Sequence, residues 1–328
     1  MLAFIVRRLI LAIVTLVAIS IICFGIILLP PGDYITAYVA EQTASGTVIT
    51  SREAEALRAR YGLDQPVPIQ YLKWMNGIVR GDFGMSLTWQ RPVAALIWDR
   101  MLLTVVLSLA AVLFTWALAL PIGIYSAVRQ YSIGDYLFTF IGFIGLAVPN
   151  FLLALTVMYL GFRYFDANAG GLFSPEYLEA PWTLARGWDL LKHLPLPAAI
   201  LALGGTAQVI RVMRANLLDE LRKPYVTTAR AKGISERRVI LGHPVRVALN
   251  PFISTIGYLF PYVVSGSVIV SLVLSLPTVG PLLLTALLAQ DLFLAGGIVL
   301  MLGAMTVIGT LVSDLLLMWI DPRVRWEE

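Results

Sequence analysis

Uncharged runs alternate along this chain with shorter polar stretches, and the lengths of the runs set the expected architecture. Leu9 to Leu29 holds 21 residues without a charge, about 31 Å as an α-helix against a membrane hydrocarbon core of about 30 Å. It is predicted to be a first membrane span. The run is longer than a signal-peptide core, and no Ala-x-Ala site follows it before Pro30-Pro31-Gly32. Uncharged Met101 to Val128 contains the second span, and Tyr136 to Phe162 is the third, with Pro149-Asn150 at its centre. A proline there frees a backbone carbonyl, either as a packing kink or as a pathway feature, and a single Asn favours the kink. Leu194 to Ile210 is the fourth span, expected to continue as helix through Arg211 and Arg214. The 44 uncharged residues from Val247 to Gln290 exceed one span and are broken by Pro277-Thr-Val-Gly280-Pro281. They divide into a fifth span, Phe252 to Leu274, and an outer apolar segment that dips back into the membrane. Leu292 to Ser313 opens the sixth, which ends near Ile320.

The pattern predicts an all-α integral membrane protein with six transmembrane helices, divided as 1–29 (first span), 30–100 (extracytoplasmic region) and 101–328 (core of five spans). In the extracytoplasmic region a helix is predicted over Ser51 to Tyr61, started by a Ser cap and stopped by Gly62. The basic island inside the core is the loop 211–250. Its 36 residues from Arg211 to Arg246 hold nine Lys/Arg against three Asp/Glu. Pro224 suits a first helical position and Gly233 the left-handed position past a helix end, which predicts a short helix from Pro224 to Lys232. Ser235 and Glu236 then start a second helix. Tyr225 and Ala229 share a face at i, i+4 spacing, and Arg230 and Lys232 sit in the last turn, where the helix dipole favours cations.

Composition agrees with the runs. Hydrophobic residues make up 59% and charged residues 13%, against about 25% charged in soluble proteins. The net charge of +4 does not indicate nucleic acid, because the excess sits in one loop; acidic lipid and a protein are the expected partners. Fourteen Lys/Arg fall on the side of the N-terminus and the 211–250 loop, against three in the two shorter loops opposite. By the positive-inside bias both termini are cytoplasmic. Cys23 is a lone packing residue, and His193 and His243 have no companions at metal-ligand spacing, so no metal site is expected. Trp74, Trp89, Trp182 and Trp188 suit the membrane interface.

No Gly-x-x-x-x-Gly-Lys-Ser/Thr, Gly-x-Ser-x-Gly or His-Glu-x-x-His occurs, so the chain is expected to be no enzyme and to bind no ATP itself. Asp314 is the one carboxylate embedded late in a span, close enough to its cytoplasmic end for a structural role. A stand-alone secondary transporter or channel would be expected to show ionisable groups near the midplane. That class is the alternative to a permease driven by a separate ATPase.

Tyr225-Val-Thr-Thr-Ala-Arg-Ala-Lys-Gly233-Ile-Ser-Glu-Arg-Arg-Val resembles the EAA loop of ABC-importer permeases in the form used by the dipeptide/oligopeptide/nickel branch. Thr227, Thr228 and Ala229 stand where Glu-Ala-Ala would be, and the Ile-x-Leu-Pro ending is absent, but Gly233 is kept. The resemblance runs from Phe4-Ile-Val-Arg-Arg-Leu to Asp321-Pro-Arg-Val-Arg. It implies a MetI-like, type I importer fold in the bacterial cytoplasmic (inner) membrane. It also implies a coupling helix whose Tyr225, Thr228, Ala229, Arg230, Ala231, Lys232 and Gly233 dock on an ATPase subunit. The partners implied are a second homologous permease, two ATP-binding subunits and an extracytoplasmic solute-binding protein, with no cofactor in this chain. Peptides, oligosaccharides and nickel all fall within the branch, and Leu172 to Trp182 with Leu221 to Tyr225 looks more like its oligosaccharide members.

Overall fold

The computed structural model describes residues 2–29, 34–44, 49–165, 170–178, 180–254 and 268–320. Among them regular structure is helical, with one isolated antiparallel bridge between Met85 and Pro92. In order the helices are α1 (Leu2–Ile27), α2 (Tyr34–Ala44), α3 (Ser51–Tyr61), α4 (Val67–Val79), α5 (Val93–Val128), α6 (Ile133–Ala147), α7 (Asn150–Phe165) and α8 (Leu184–His193). They continue as α9 (Pro195–Leu221), α10 (Pro224–Ala231), α11 (Glu236–Gly242), α12 (Pro244–Ala248), α13 (Asn250–Ser254), α14 (268–273), α15 (Val279–Leu288) and α16 (Leu292–Ile320). The chain divides into two compact units, Met1–Thr104 with Thr278–Val307, and Val105–Pro277 with Ile308–Glu328.

Among the described residues α1, α5, α9 and α16 are long and apolar enough to cross a membrane, and α6 with α7 makes a fifth candidate as a bent pair. The expected fifth span, Phe252 to Leu274, lies mostly on 255–267, outside the described residues, as do Pro30-Pro31-Gly32 and Asp321-Pro322-Arg323.

Three local features differ from their sequence reading. First, α5 starts at Val93 rather than near Met101 and runs 36 residues, about 54 Å, so Asp99 and Arg100 ride on the same helix as the apolar run. Second, the kink at Pro149 is a break. A residue before proline is pushed out of the helical region, and Val148 is extended at φ −88° and ψ 120°. The axes of α6 and α7 consequently differ by 93°. Third, the cap of α3 is Thr50, one residue before Ser51. Its hydroxyl accepts from the Glu53 N–H while the Glu53 carboxylate accepts from the Thr50 N–H, a closed capping box, and Gly62 ends the helix at φ +70°.

The first unit is held by Phe24 of α1, Trp74 of α4 and Leu292 and Leu300 of α16, with Tyr71 edge-on to Phe24 at 5.5 Å. Asp291 is fully buried just before α16. Its carboxylate accepts from the Ser86 hydroxyl (2.6 Å), the Thr88 N–H and the Leu294 N–H, tying the 86–88 turn to the start of that helix. Cys23 is buried beside Phe24 in sequence, consistent with a packing residue.

The second unit is centred on α9. Met213 and Leu217 are fully buried and pack with Ala127, Ala248 and Phe252. Gly123 allows the close approach of α5, since a Cβ there would meet the Met213 side chain at 2.8 Å. Asp135, in the first turn of α6 and almost fully buried, pairs with Arg214 of α9 at 3.0 Å and accepts from the Tyr131 N–H. Helix α9 therefore runs unbroken past Arg211 and Arg214, as expected, and its far end is fixed by an ion pair where the polar loop begins.

Candidate functional site

The loop that follows α9 is shaped by its own punctuation. Lys223 is extended, Pro224 occupies the first turn of α10, and α10 ends at Ala231 with Lys232 as its C-cap. The Ile234 N–H then reaches the Ala229 carbonyl (3.3 Å) and the Gly233 N–H the Arg230 carbonyl (2.9 Å), with Gly233 at φ +74°. This pair of bonds is a Schellman motif, whose left-handed residue is best filled by glycine. No atom lies within 4 Å of a Cβ placed on Gly233. The glycine is thus required by backbone conformation and not by space. Ser235 precedes α11 with no side-chain capping bond; its carbonyl accepts from the Arg238 and Val239 N–H groups instead.

Two polar contacts fix α10 on its neighbours. Glu220, buried near the end of α9, accepts from the Tyr225 hydroxyl at 2.7 Å and from the Lys223 ammonium. The Tyr225 ring stands edge-on to His243 at 5.2 Å. Burial, followed by the hydrogen bond to the Glu220 carboxylate, pushes the Tyr225 phenol well above its ordinary value. Beyond the turn, Arg230 makes a two-pronged contact with Glu236 of α11, Nε to Oε2 at 3.1 Å and Nη2 to Oε1 at 2.6 Å. The hydrogen bond from Arg230 holds the Glu236 carboxyl below the usual carboxylate range.

These contacts sort the seven expected docking residues into two groups. Tyr225 and Ala229 do share a face, and both are half-buried beside the fully buried Val226, with Val239 and Ile240 of α11 also buried. Thr228, Arg230, Ala231, Lys232 and Gly233 are exposed, together with Thr227. The exposed side of α10 is therefore low in relief, made of two threonines and an alanine, with a lysine beyond its end. Tyr225 is a strut from α10 to Glu220 of α9, and Arg230 is the near half of a clamp across the glycine turn.

The partners of these two residues, Glu220 with His243 and Glu236, are functional candidates that a motif reading overlooks. Their sequence signals are slight: Glu220 is an acidic residue two positions before a basic Arg222-Lys223 pair, and Arg230 precedes Glu236 by six residues across a glycine. Among the described residues no group of three or more His, Cys, Asp or Glu is placed to hold a metal ion.

A two-turn helix is thus tied to the end of a long apolar helix through Tyr225 and Glu220, with threonines, an alanine and a lysine on its exposed side. Comparison with known proteins gives the class. The family described as binding-protein-dependent transport system inner membrane component matches residues 119–326, and the N-terminal membrane-component family of the same systems matches residues 1–110. The chain belongs to this family of MetI-like ABC-importer permeases; it is a multi-pass inner-membrane subunit and is not itself an enzyme.

Among its relatives are the oligopeptide transport system permease protein AppB of Bacillus subtilis, 35% identical over 330 residues, covering 99% of this chain and all of that one. A Brucella ovis protein with a provisional peptide-permease name is 36% identical over 328 residues and 99% of each chain. The dipeptide transport system permease protein DppB of Alkalihalophilus pseudofirmus is 30% identical over 339 residues, covering 99% of this chain and all of that one. These likenesses favour the ATP-driven importer over a stand-alone secondary transporter or channel.

Proposed function

We propose that this chain forms half of the translocation pathway of a peptide importer and that α10 is where an ATP-binding subunit pushes on it. It pairs with a second homologous permease, receives solute from an extracytoplasmic binding protein, and is driven by two ATPase subunits that bind all of the nucleotide. In this arrangement both termini and the 211–250 loop are cytoplasmic. The observation that carries the reading is the construction of α10: an exposed small-residue face held rigidly to α9 through Tyr225–Glu220 and to α11 through Arg230–Glu236. A partner changes a two-state equilibrium only by its differential affinity for the two states. Motion delivered to α10 must therefore pass through contacts that reach α9, and the Tyr225–Glu220 bond is that linkage, while the Arg230–Glu236 pair ties α10 to α11. The relatives' dipeptide and oligopeptide names support peptide as the solute.

The test separates the face from its supports. In the assembled transporter reconstituted in vesicles, Lys232→Glu and Thr228→Arg, on the exposed side, are expected to weaken recovery of the ATPase subunit. Tyr225→Phe is expected to leave recovery intact while reducing the ATP hydrolysis stimulated by peptide-loaded binding protein. Unchanged recovery and unchanged peptide uptake in Lys232→Glu with Thr228→Arg would withdraw the docking assignment. Stimulation by an oligosaccharide-loaded binding protein and not by peptide would replace the solute.

A further inference from the structure

The ten-residue helix α8 wears its amphipathic pattern inside out. Leu184, Trp188 and Leu191 recur at i, i+4 and i+7, which places them on one face, and they are 96%, 63% and 56% exposed. The opposite face carries Arg186, Asp189 and His193, and all three are engaged with the protein's own backbone and loop. The Arg186 guanidinium lies over the rings of Phe173 (4.8 Å) and Trp182 (4.6 Å) and donates to the Ala180 and Leu178 carbonyls. Asp189, 7% exposed, accepts from both the N–H (2.7 Å) and the hydroxyl (2.8 Å) of Ser174. The His193 ring is 2.8 Å from the Asp189 carbonyl. A helix on an aqueous surface is arranged the other way round, with its charges in solvent and its leucines covered.

The covering medium is indicated by what α8 is attached to. Only Leu194 separates it from α9, and Leu194 is itself in the helical region and continues the hydrogen-bond ladder, from Leu190 through Leu194 to Ala198. Helix α8 therefore stands at the end of a membrane-crossing helix, the level at which Trp is enriched and lysines reach for headgroups. Trp188 lies in its apolar stripe, and the exposed Lys192 is beside it.

We infer that α8 is a membrane-interface helix whose Leu184–Trp188–Leu191 stripe is buried in lipid, while Arg186 and Asp189 are engaged by Phe173, Ser174, Leu178, Ala180 and Trp182 on the side away from the lipid. Burial of such a stripe at the acyl boundary is the known mode of in-plane amphipathic helices. The inference rests on α9 crossing the membrane, and is independent of which solute is carried.

Spin labels placed singly at positions 184, 188, 191 and 192, in a Cys23→Ser background of the whole transporter in vesicles, decide it. Collision with oxygen, which concentrates in lipid, is expected to exceed collision with a water-soluble nickel chelate at 184, 188 and 191, with the order reversed at 192. That pattern should persist when the binding protein is added. Free access of the chelate to all three stripe positions would overturn the inference, since water would then cover the stripe. Shielding from both reagents would overturn it in favour of a protein neighbour. A measurement that needs no label uses Trp188→Phe in vesicles of lipid brominated near the headgroup. Loss of part of the quenchable fluorescence relative to the unchanged protein agrees with lipid contact, and no difference contradicts it. Neither readout involves transport, so failure here is distinguishable from failure of the peptide-importer reading.

Discussion

At one end of α9 the chain turns Arg186 and Asp189 toward its own loop and leaves Leu184, Trp188 and Leu191 outside. At the other end it buries Val226, Val239 and Ile240 and leaves Thr227, Thr228, Lys232 and Arg237 outside. Both inserts are short and helical, and both use a carboxylate as an internal anchor, Asp189 in one and Glu220 in the other. They differ in which chemistry is left unsatisfied by the protein itself. The α8 insert leaves a contiguous apolar stripe, which needs lipid; on α10 itself the exposed residues include threonines, an alanine and an arginine, which tolerate water, although Ile234 and Leu241 beyond it are also exposed.

The comparison is broken most severely at the core of the α10 insert. Val226 is fully buried, and Val226→Asp places a charge there with no partner, a cost on the order of 3 kcal/mol. The loop is expected to lose its packing and the transporter its ATPase subunit, while the spans remain inserted; protease sensitivity at the loop with unchanged membrane extraction measures this. Next in size is the strut. Tyr225→Phe removes one donor from the buried Glu220 carboxylate, worth roughly 1.5–3 kcal/mol for a bond to a charged group. Coupling should fall more than ATPase recovery does, and equal losses in both would show that Tyr225 touches the partner instead of supporting α10.

Gly233 gives a smaller and cleaner effect. With open space around its Cβ position and φ +74°, Gly233→Val should cost about 1–2 kcal/mol through backbone strain alone. Gly233→Asn, whose side chain tolerates the left-handed region, should recover most of the loss. Failure of Asn to do better than Val would mean that the glycine serves contact with a partner.

The smallest effect belongs to the exposed Arg230–Glu236 clamp. Glu236 has its folded-state value lowered from 4.5 by the bond to Arg230. Its contribution is therefore present above pH 4.5 and is lost as pH falls through the lower, folded value. Protection of the Gly233–Ser235 amides, taken as exchange relative to the intrinsic rate at each pH, should fall only in that acidic window, and Glu236→Gln should abolish the dependence. A pH dependence that persists in Glu236→Gln would assign it elsewhere.

Much of this protein was written in local chemistry and could be read without coordinates. Uncharged runs of membrane length follow from the absence of water partners for the backbone in lipid, and they located α1, α5, α9 and α16, though α1 and α5 each begin seven or eight residues before their uncharged runs. Pro224 and Gly233 delimited α10 because each acts through its own backbone, proline by a fixed φ and glycine by access to the left-handed region. The Tyr225 to Val239 motif likewise carried the family. The extent of the break at Pro149 was partly legible, since proline's effect on Val148 is local, but the 93° angle depends on where α7 packs, and Asn150 settles against Gly204 of α9.

What only the tertiary structure decided is orientation and partnership. Nothing local to α10 tells whether Tyr225 or Thr228 faces outward, because the answer lies with Glu220 and His243, which the fold brings in from α9 and from the turn before α12. The pattern of α8 is equally compatible with water outside its charges or lipid outside its leucines. The choice was made by Phe173, Ser174 and Trp182, which arrive from the preceding loop and pack against the polar face. Periodicity specifies that a helix has two faces; which face is turned outward depends on the groups the rest of the chain places against it.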